Sequence, residues 1–176
     1  MNWIQSILVW FYRRPHSNGF GIQSPTDYAF VREVVNERGM YYAYRQFKEF
    51  RGDLLHNKLG KLYFRLANWR QPSVMLRDEY ERYWKAGCRN IQWVASLTLM
   101  ELGRIILEDN YREQFHQIGS MVDSRSVLVI EAIYRDWNFW HEVEQDARTG
   151  VTFDLYYCGI VFFDKSRYKK NYKVNF

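Results

Sequence analysis

The residues that most directly suggest chemistry lie between Pro72 and Gly87, in the segment PSVMLRDEYERYWKAG. A short apolar run at Ser73 to Leu76 predicts a strand, and the charged, aromatic pattern after it predicts a helix over 78–86. In an open α/β sheet, such a strand-to-helix connection is where a nucleotide-like cofactor binds. A backbone that bends tightly against a ligand needs glycine, and Arg77 to Tyr80 contains none. The segment therefore lies where a cofactor site is expected but lacks the glycine that such a site normally requires.

A carboxylate lies near the end of a second predicted strand. Residues 126–133, SVLVIEAI, form the continuous apolar run of a strand buried on both faces of a parallel sheet. Glu131 falls near its carboxyl end, where it would orient a substrate or act as a base. The alternative is a paired, solvated loop residue beside Tyr134 to Asp136. Asp154 is a second candidate, although inside a predicted strand a hydrogen-bonded or outward-facing role is simpler.

Several other chemistries have no support in the sequence. Cys88 and Cys158, the two cysteines, belong to no Cys-x-x-Cys or Cys/His cluster, and the four histidines share no metal-ligand spacing. We therefore expect no metal site. The chain also lacks a P-loop, a Gly-x-Gly-x-x-Gly motif and a nucleophile elbow, so nucleotide hydrolysis and hydride transfer are unsupported.

The remaining pattern predicts strands that alternate with helices through the middle of the chain. The further predicted helices span 2–14, 25–38, 41–50, 53–69, 97–119 (in two pieces broken near Asn110) and 137–148. A short strand is predicted over 91–95, and an antiparallel hairpin around Cys158-Gly159 over 151–163. Glu101 to Gly103 mimics the end of a cofactor-binding strand, but its apolar neighbours repeat at helical spacing, which favours the helix.

Composition indicates a folded domain of ordinary size. The chain has 176 residues, 47% hydrophobic and 19% aromatic, which predicts a core packed largely by aromatic rings. The net charge of +5 comes from 25 basic residues set among 20 acidic ones, a mixed surface that argues against nucleic-acid binding. Only Lys165 to Lys173 is a concentrated basic run.

The first residues predict an amphipathic helix over 2–14 that Pro15 ends. Its apolar stretch is too short to span a bilayer, and the positive charges follow it, unlike those of a signal peptide. A cytoplasmic protein with reduced thiols is therefore expected. Because the polar face carries no lysine, we expect Trp3, Ile7 and Phe11 to pack against protein, with binding to a membrane surface as the alternative.

Six segments carry a resemblance to a known family: GIQSP at 21–25, YYAY at 41–44, GKLYFRLAN at 60–68, DSRSVLV at 123–129, VTFDL at 151–155 and GIVFF at 159–163. Together they resemble class I S-adenosylmethionine-dependent methyltransferases of the Bacteroidetes. The middle of the chain departs from the family, which has a longer block in place of 77–113. At least one strand and helix are expected to be missing here.

The resemblance implies an α/β fold with a reduced Rossmann-like methyltransferase sheet, parallel at its centre and ending in an antiparallel hairpin. A helical cap would span 1–70 and the α/β core 71–176, as one compact unit. Asp78 and Glu79 would mark the vestigial cofactor-binding position, and Glu131 would be the surviving one of two acidic residues. The residues implied to line a substrate or partner surface are Gly21, Gln23, Ser24, Tyr41 and Tyr42.

These features predict a degenerate methyltransferase-like protein, without S-adenosylmethionine-dependent activity and without a cofactor. It would act as a binding or interaction module or persist as a relic. The alternative is an active methyltransferase with an unorthodox cofactor site. Loss of a strand would uncover an edge near Ile91, Trp93 and Val94, so a homo-oligomer is expected, with neither nucleic acid nor membrane as a partner. A small-molecule ligand is not identified.

Overall fold

The chain alternates helices and strands, with a helical region before the first strand. The computed structural model describes residues 3–47 and 53–176, so the first predicted residue of the N-terminal helix and the end of the helix over 41–50 lie outside it. The helices are α1 Trp3–Tyr12, α2 Pro25–Phe30, α3 Ala43–Phe47, α4 Leu54–Arg70, α5 Glu81–Gly87, α6 Tyr111–Ile118 and α7 Trp137–Gln145. The strands are β1 Val74–Leu76, β2 Gln92–Val94, β3 Leu102–Ile106, β4 Val127–Glu131, β5 Val151–Asp154, β6 Cys158–Phe162 and β7 Lys170–Lys173.

Helix α2 begins where the sequence signals predicted. Ser24 caps it by accepting the backbone N–H of Asp27, and Pro25 occupies its first turn. A π-helical turn, Val31–Val35, continues α2, and its valines at 31, 34 and 35 are buried as expected. The buried guanidinium of Arg65 on α4 donates to the Val34 and Val35 carbonyls at 2.5 and 2.9 Å, which satisfies the end of this turn.

Helices α4 and α5 pack unusually close to each other. A Cβ at Gly60 would clash with the ring of Tyr83, and one at Gly87 would clash with the Phe64 carbonyl oxygen. Glycine at these two positions therefore permits the contact. Asp53 caps α4 by accepting the His56 N–H at 2.7 Å. The close packing fixes α5 directly above the connection that follows β1.

The main sheet has five strands in the order β3-β4-β6-β5-β7. Strands β3 and β4 are parallel, as are β5 and β7, and β6 runs antiparallel to both β4 and β5. Strands β1 and β2 form a separate parallel pair. The two ladders meet at the start of β1, where the Ser73 N–H and hydroxyl donate to the Glu101 carboxylate at 2.7 and 2.5 Å. An α/β fold with a mostly parallel sheet is therefore confirmed.

One predicted helix differs in the structure, and one strand was not predicted. The first piece of the helix predicted over 97–119 is wrong, because Leu102–Ile106 forms β3, whereas the piece after the predicted break near Asn110 is confirmed as α6, Tyr111–Ile118. Leu102 and Ile105 are buried on opposite sides of the sheet, so the apparent helical spacing arises from a strand covered on both faces. Lys170–Lys173 forms β7, a strand that the basic composition concealed.

The C-terminal hairpin is antiparallel as predicted, but its turn and its place in the sheet differ. The turn lies at residues 155–157, where Tyr156 has φ 73°, and Cys158 and Gly159 belong to β6. Strand β6 lies between β4 and β5 inside the sheet, and β7 takes the edge beyond β5. A Cβ at Gly159 would clash with the indole of Trp140, so glycine there admits α7 onto the sheet.

Two hydrophobic clusters cover the two faces of the main sheet. One joins α2, α3, α4 and α5 to one face, and the other joins α6 and α7 to the opposite face. Leu102 and Val129 belong to the first cluster, whereas Leu128 and Ile130 belong to the second, as the two-residue period of a strand requires. The predicted cap and core therefore share one hydrophobic cluster.

Helix α1 is anchored to the sheet by Arg13, the residue that follows it, and its described side chains from residue 7 onward are largely exposed. Arg13 places its guanidinium on the Asp154 carboxylate, with both oxygens within 2.8 Å, and also donates to the Asp154 carbonyl at 2.9 Å. Both side chains are almost fully buried. In contrast, Ile7 and Phe11 are 43% and 58% exposed, so the expectation that they pack against protein is not met within this chain. The side chain of Trp3 lies outside the described residues.

We predict that Arg13→Met lowers the free energy of unfolding by about 3–5 kcal/mol, because it leaves the Asp154 carboxylate buried without a cation. Urea unfolding followed by circular dichroism measures the loss. The double variant Arg13→Met/Asp154→Leu should lose less, since no uncompensated charge remains. Equal losses in the single and double variants would contradict the assignment.

Candidate functional site

Arg104 on β3 lies at the centre of the candidate site. In the register of the sheet, Arg104 lies opposite Val129 and Ile106 lies opposite Glu131, so Arg104 and Glu131 point to the same face. That face is covered by α4 and α5. The side chain of Arg104 is only 7% exposed, and a buried guanidinium needs carboxylates and hydrogen-bond acceptors around it.

Glu131, the last residue of β4, is one of those carboxylates. Its Oε2 atom accepts a hydrogen bond from Arg104 Nε at 2.7 Å and another from the hydroxyl of Tyr63 on α4, also at 2.7 Å. The acidic residue that the sequence placed at the strand's carboxyl end is therefore there. It is buried and doubly bonded, not the solvated loop residue of the alternative interpretation.

The other two carboxylates come from the connection between β1 and α5. Glu79 accepts from the Arg104 guanidinium at 2.6 Å, and the Asp78 carboxylate lies 3.8 Å from it. Asp78 also accepts the Tyr80 backbone N–H at 2.8 Å and the indole N–H of Trp84 at 3.0 Å. The segment that lacks glycine is thus held by its own carboxylates and aromatic rings.

Aromatic rings fill the remaining space above the carboxyl end of β1. Tyr80 is 2% exposed, and its ring lies 4.7 Å from the Arg104 guanidinium carbon, within the range of a cation–π contact. The rings of Tyr63 and Trp84 stack with centroids 4.7 Å apart. Side chains of the chain itself therefore occupy the volume beside Glu131 and the two acidic residues after β1. We call this set of residues, Tyr63, Asp78, Glu79, Tyr80, Trp84, Arg104 and Glu131, the Arg104 cluster.

Burial controls the protonation of the Arg104 cluster. Desolvation raises the pKa of Asp78, although the nearby Arg104 partly opposes this, and burial together with Glu131 raises the pKa of Tyr63. Burial alone would lower the pKa of Arg104, but Tyr63 and Glu131 outweigh it, so this pKa is raised. The guanidinium therefore stays cationic and the Tyr63 hydroxyl stays protonated at neutral pH.

The ionisable groups of this region are arranged to stabilise the fold and not to transfer protons. The Oε2 atom of Glu131 already accepts bonds from a cation and a hydroxyl, and burial raises the pKa of the Cys158 thiol, which keeps it protonated. Asp154 is bound to Arg13, so the catalytic alternative for Asp154 has no free carboxylate. Among residues 3–47 and 53–176, no group of three or more potential metal ligands is present.

The residues implied by the resemblance fall in three places. Asp78, Glu79 and Glu131 come together around Arg104. Gly21, Gln23 and Ser24 instead line a separate cavity of about 610 Å³ with Arg167 and Lys170. Tyr41 packs against Phe64 with ring centroids 5.0 Å apart, whereas Tyr42 is 89% exposed. The implied substrate or partner residues therefore form no common surface with the Arg104 cluster.

Sequence reasoning missed Arg104 itself. A single arginine inside the apolar run LGRII would have indicated a buried ion pair, had the run been recognised as a strand. Because the run is predicted as a helix, Arg104 is expected on a solvent-exposed face, where it needs no buried partner. The signal was present but depended on the correct secondary structure.

No known protein family matches the sequence, and no curated protein matches it either. The resemblance to class I methyltransferases therefore stays a hypothesis. In the described part of the chain, no helix is long and apolar enough to cross a bilayer.

We predict that Arg104→Met lowers the free energy of unfolding by about 3–5 kcal/mol, because carboxylates are left buried without their cation. The matched control is Arg77→Met, which breaks an exposed ion pair with Glu81 and should cost about 1 kcal/mol or less. Urea titrations of both variants measure the difference. A loss no greater in Arg104→Met than in the control would contradict the role of the cluster.

A second prediction concerns pH. Because the pKa of Asp78 is higher in the folded chain than its ordinary value of 3.8, the folded state favours the neutral acid, and Asp78 costs stability as the pH rises through its folded pKa. Asp78→Asn mimics the neutral form. The stability of this variant relative to the wild type should increase between about pH 4 and 7. Glu81→Gln is the exposed control, and a pH-independent difference for Asp78→Asn would contradict the assignment.

Proposed function

We propose that this chain is a degenerate methyltransferase-like protein that does not bind S-adenosylmethionine tightly and acts as a binding or interaction module. The single observation that carries the proposal is the position of the Arg104 guanidinium among Asp78, Glu79 and Glu131. It joins the carboxyl ends of β1 and β4, the edge of an α/β sheet at which ligands bind. The parallel pair β3 and β4 and the antiparallel C-terminal hairpin support the relationship to the methyltransferases, whereas the predicted parallel centre is wrong, because the antiparallel β6 occupies the middle of the sheet.

Two physical effects oppose cofactor binding at this edge. First, the connection after Leu76 carries side chains throughout, so its backbone lacks the close approach that glycine permits. Each charge-assisted hydrogen bond lost in this way costs about 1.5–3 kcal/mol. Second, a cofactor would have to displace Arg104 from its carboxylates, a separation that costs about 3–5 kcal/mol. The second cost alone weakens binding by about two to four orders of magnitude.

The alternative, an active methyltransferase with an unorthodox cofactor site, would need the cofactor to enter elsewhere. The cavity beside Gly21 and Ser24 is the nearest candidate among the residues of the resemblance, but it does not reach Glu131. A cofactor held there would have no carboxylate of the Arg104 cluster available for its ribose or for catalysis. The geometry therefore favours loss of the cofactor over its relocation.

Isothermal titration calorimetry with S-adenosylmethionine tests the proposal directly. We expect no saturable heat for the folded wild-type protein up to about 1 mM cofactor, where binding contributes only about 4 kcal/mol. The demethylated product of the cofactor should behave in the same way.

Micromolar binding of either compound would overturn the proposal, and a variant then separates the two sites. If binding occurs at the Arg104 cluster, Glu131→Gln should reduce it. If it occurs at the separate cavity, Ser24→Ala should reduce it while Glu131→Gln does not. Circular dichroism of each variant confirms that the fold is retained.

A further inference from the structure

Helix α1 presents a continuous apolar surface that this chain leaves open. From residue 7 onward its large side chains are exposed: Ile7 43%, Leu8 62%, Trp10 47%, Phe11 58% and Tyr12 87%. The sequence of α1, WIQSILVWFY, contains no charged residue. Single exposed apolar residues are ordinary, but a contiguous patch of this kind marks an interaction surface.

A cavity lies directly beside this surface. It has a volume of about 410 Å³ between α1 and α7. Its apolar wall consists of Leu8, Val9, Tyr12, Trp137 and Tyr156, and its polar wall consists of Lys173 and the paired side chains of Arg13 with Asp154 and His141 with Glu144. Pockets of about 300–1,000 Å³ hold whole small ligands, so this one admits a large aromatic side chain. Its surface is mainly apolar, which matches the side chains that α1 exposes.

Projecting side chains and a receiving cavity therefore share one helix. Trp10 and Phe11 contact each other edge to face, with ring centroids 5.2 Å apart, and form an aromatic projection next to the cavity. When one surface carries both a projection and its matching recess, two copies related by a two-fold axis satisfy both at once.

We propose that α1 is the interface of a homodimer, in which the aromatic side chains of each copy enter the cavity beside α1 of the other. This inference does not rest on the proposed function. It also places the dimer away from the edge near Ile91, because Met100 and Ile105, which the sequence offered for burial there, are already buried in the core.

The exposed area of α1 and the cavity beside it is of the order needed for an interface with a second copy of the chain. Aromatic side chains bury about 150–250 Å² each, so the exposed fractions of Trp10, Phe11 and Tyr12 together offer roughly 400 Å². A standard interface buries about 800 Å² per partner, and Ile7, Leu8 and the cavity wall supply further surface.

Charge favours a second copy over a lipid surface. Helices that lie on membranes usually carry lysine and arginine on their polar face, and α1 carries neither. Of the two arginines that follow α1, Arg13 is buried against Asp154, so Arg14 alone is exposed to meet lipid headgroups. An uncharged helix also meets its own copy without like-charge repulsion.

Multi-angle light scattering and sedimentation equilibrium of the full chain test the proposal. The wild type should have twice the monomer mass of 21.5 kDa at protein concentrations on the order of 10 µM. Phe11→Glu and, separately, Leu8→Glu should shift the mass to that of the monomer, because each buries a charge in the interface. Both positions are exposed in the monomer, so folding should be preserved. Tyr168→Glu, at a position that is 91% exposed and does not line the cavity beside α1, should remain dimeric.

Each other outcome overturns the proposal. A wild type that stays at 21.5 kDa up to about 1 mM has no such dimer. A dimer that survives both folded glutamate variants uses another surface. A monomeric wild type that sediments with phosphatidylglycerol vesicles, and loses this on Phe11→Glu, binds lipid through α1. If one variant fails to fold by circular dichroism, the other and the wild-type mass decide.

Discussion

The structure depends on the need to neutralise one buried guanidinium. Arg104 comes from the middle of β3, where water does not reach it, and three carboxylates from two other elements converge on it. Burying an unpaired cation in a protein interior costs far more free energy than any single hydrophobic contact contributes. Strands β1 and β4 must therefore end where Asp78, Glu79 and Glu131 reach the cation. The Arg104 cluster thus couples the small two-stranded ladder to the main sheet.

The sequence predicted those parts of the fold whose signals are local. The Ser24-Pro25 start of α2, the long amphipathic α4 and the apolar run of β4 agree with the structure. Glu131 lies at the carboxyl end of β4, and Asp78 and Glu79 follow β1, which belongs to the separate two-stranded ladder. Strand β3 was missed because its residues are buried on both faces, so its identity depends on pairing with β4 and not on its own pattern. Arg104 was missed with it, and β7 was hidden by its lysines.

Buried ion clusters contribute less to stability than their contacts suggest, because desolvation offsets most of the attraction. The Arg104 cluster instead affects whether a ligand can bind at the carboxyl edge of the sheet. The carboxyl edge that would receive a ligand is built into the hydrophobic core, with Tyr63 and Trp84 stacked beside it. Surface available for partners is therefore displaced from the centre of the sheet to its periphery. The uncharged helix α1 and the cavity beside α7 form one such surface.

The contact between Arg13 and Asp154 also determines when the end of helix α1 can dock during synthesis of the chain. The two residues are separated by 141 positions, and Arg13 reaches the Val174 carbonyl as well, at 3.4 Å. Ribosomes add about 5–20 residues per second, so the first helix must wait several seconds after its own synthesis before its anchor exists. Contacts of such long sequence separation form late and slow folding. During that interval the aromatic side chains of α1 lack the contact that positions them in the folded chain.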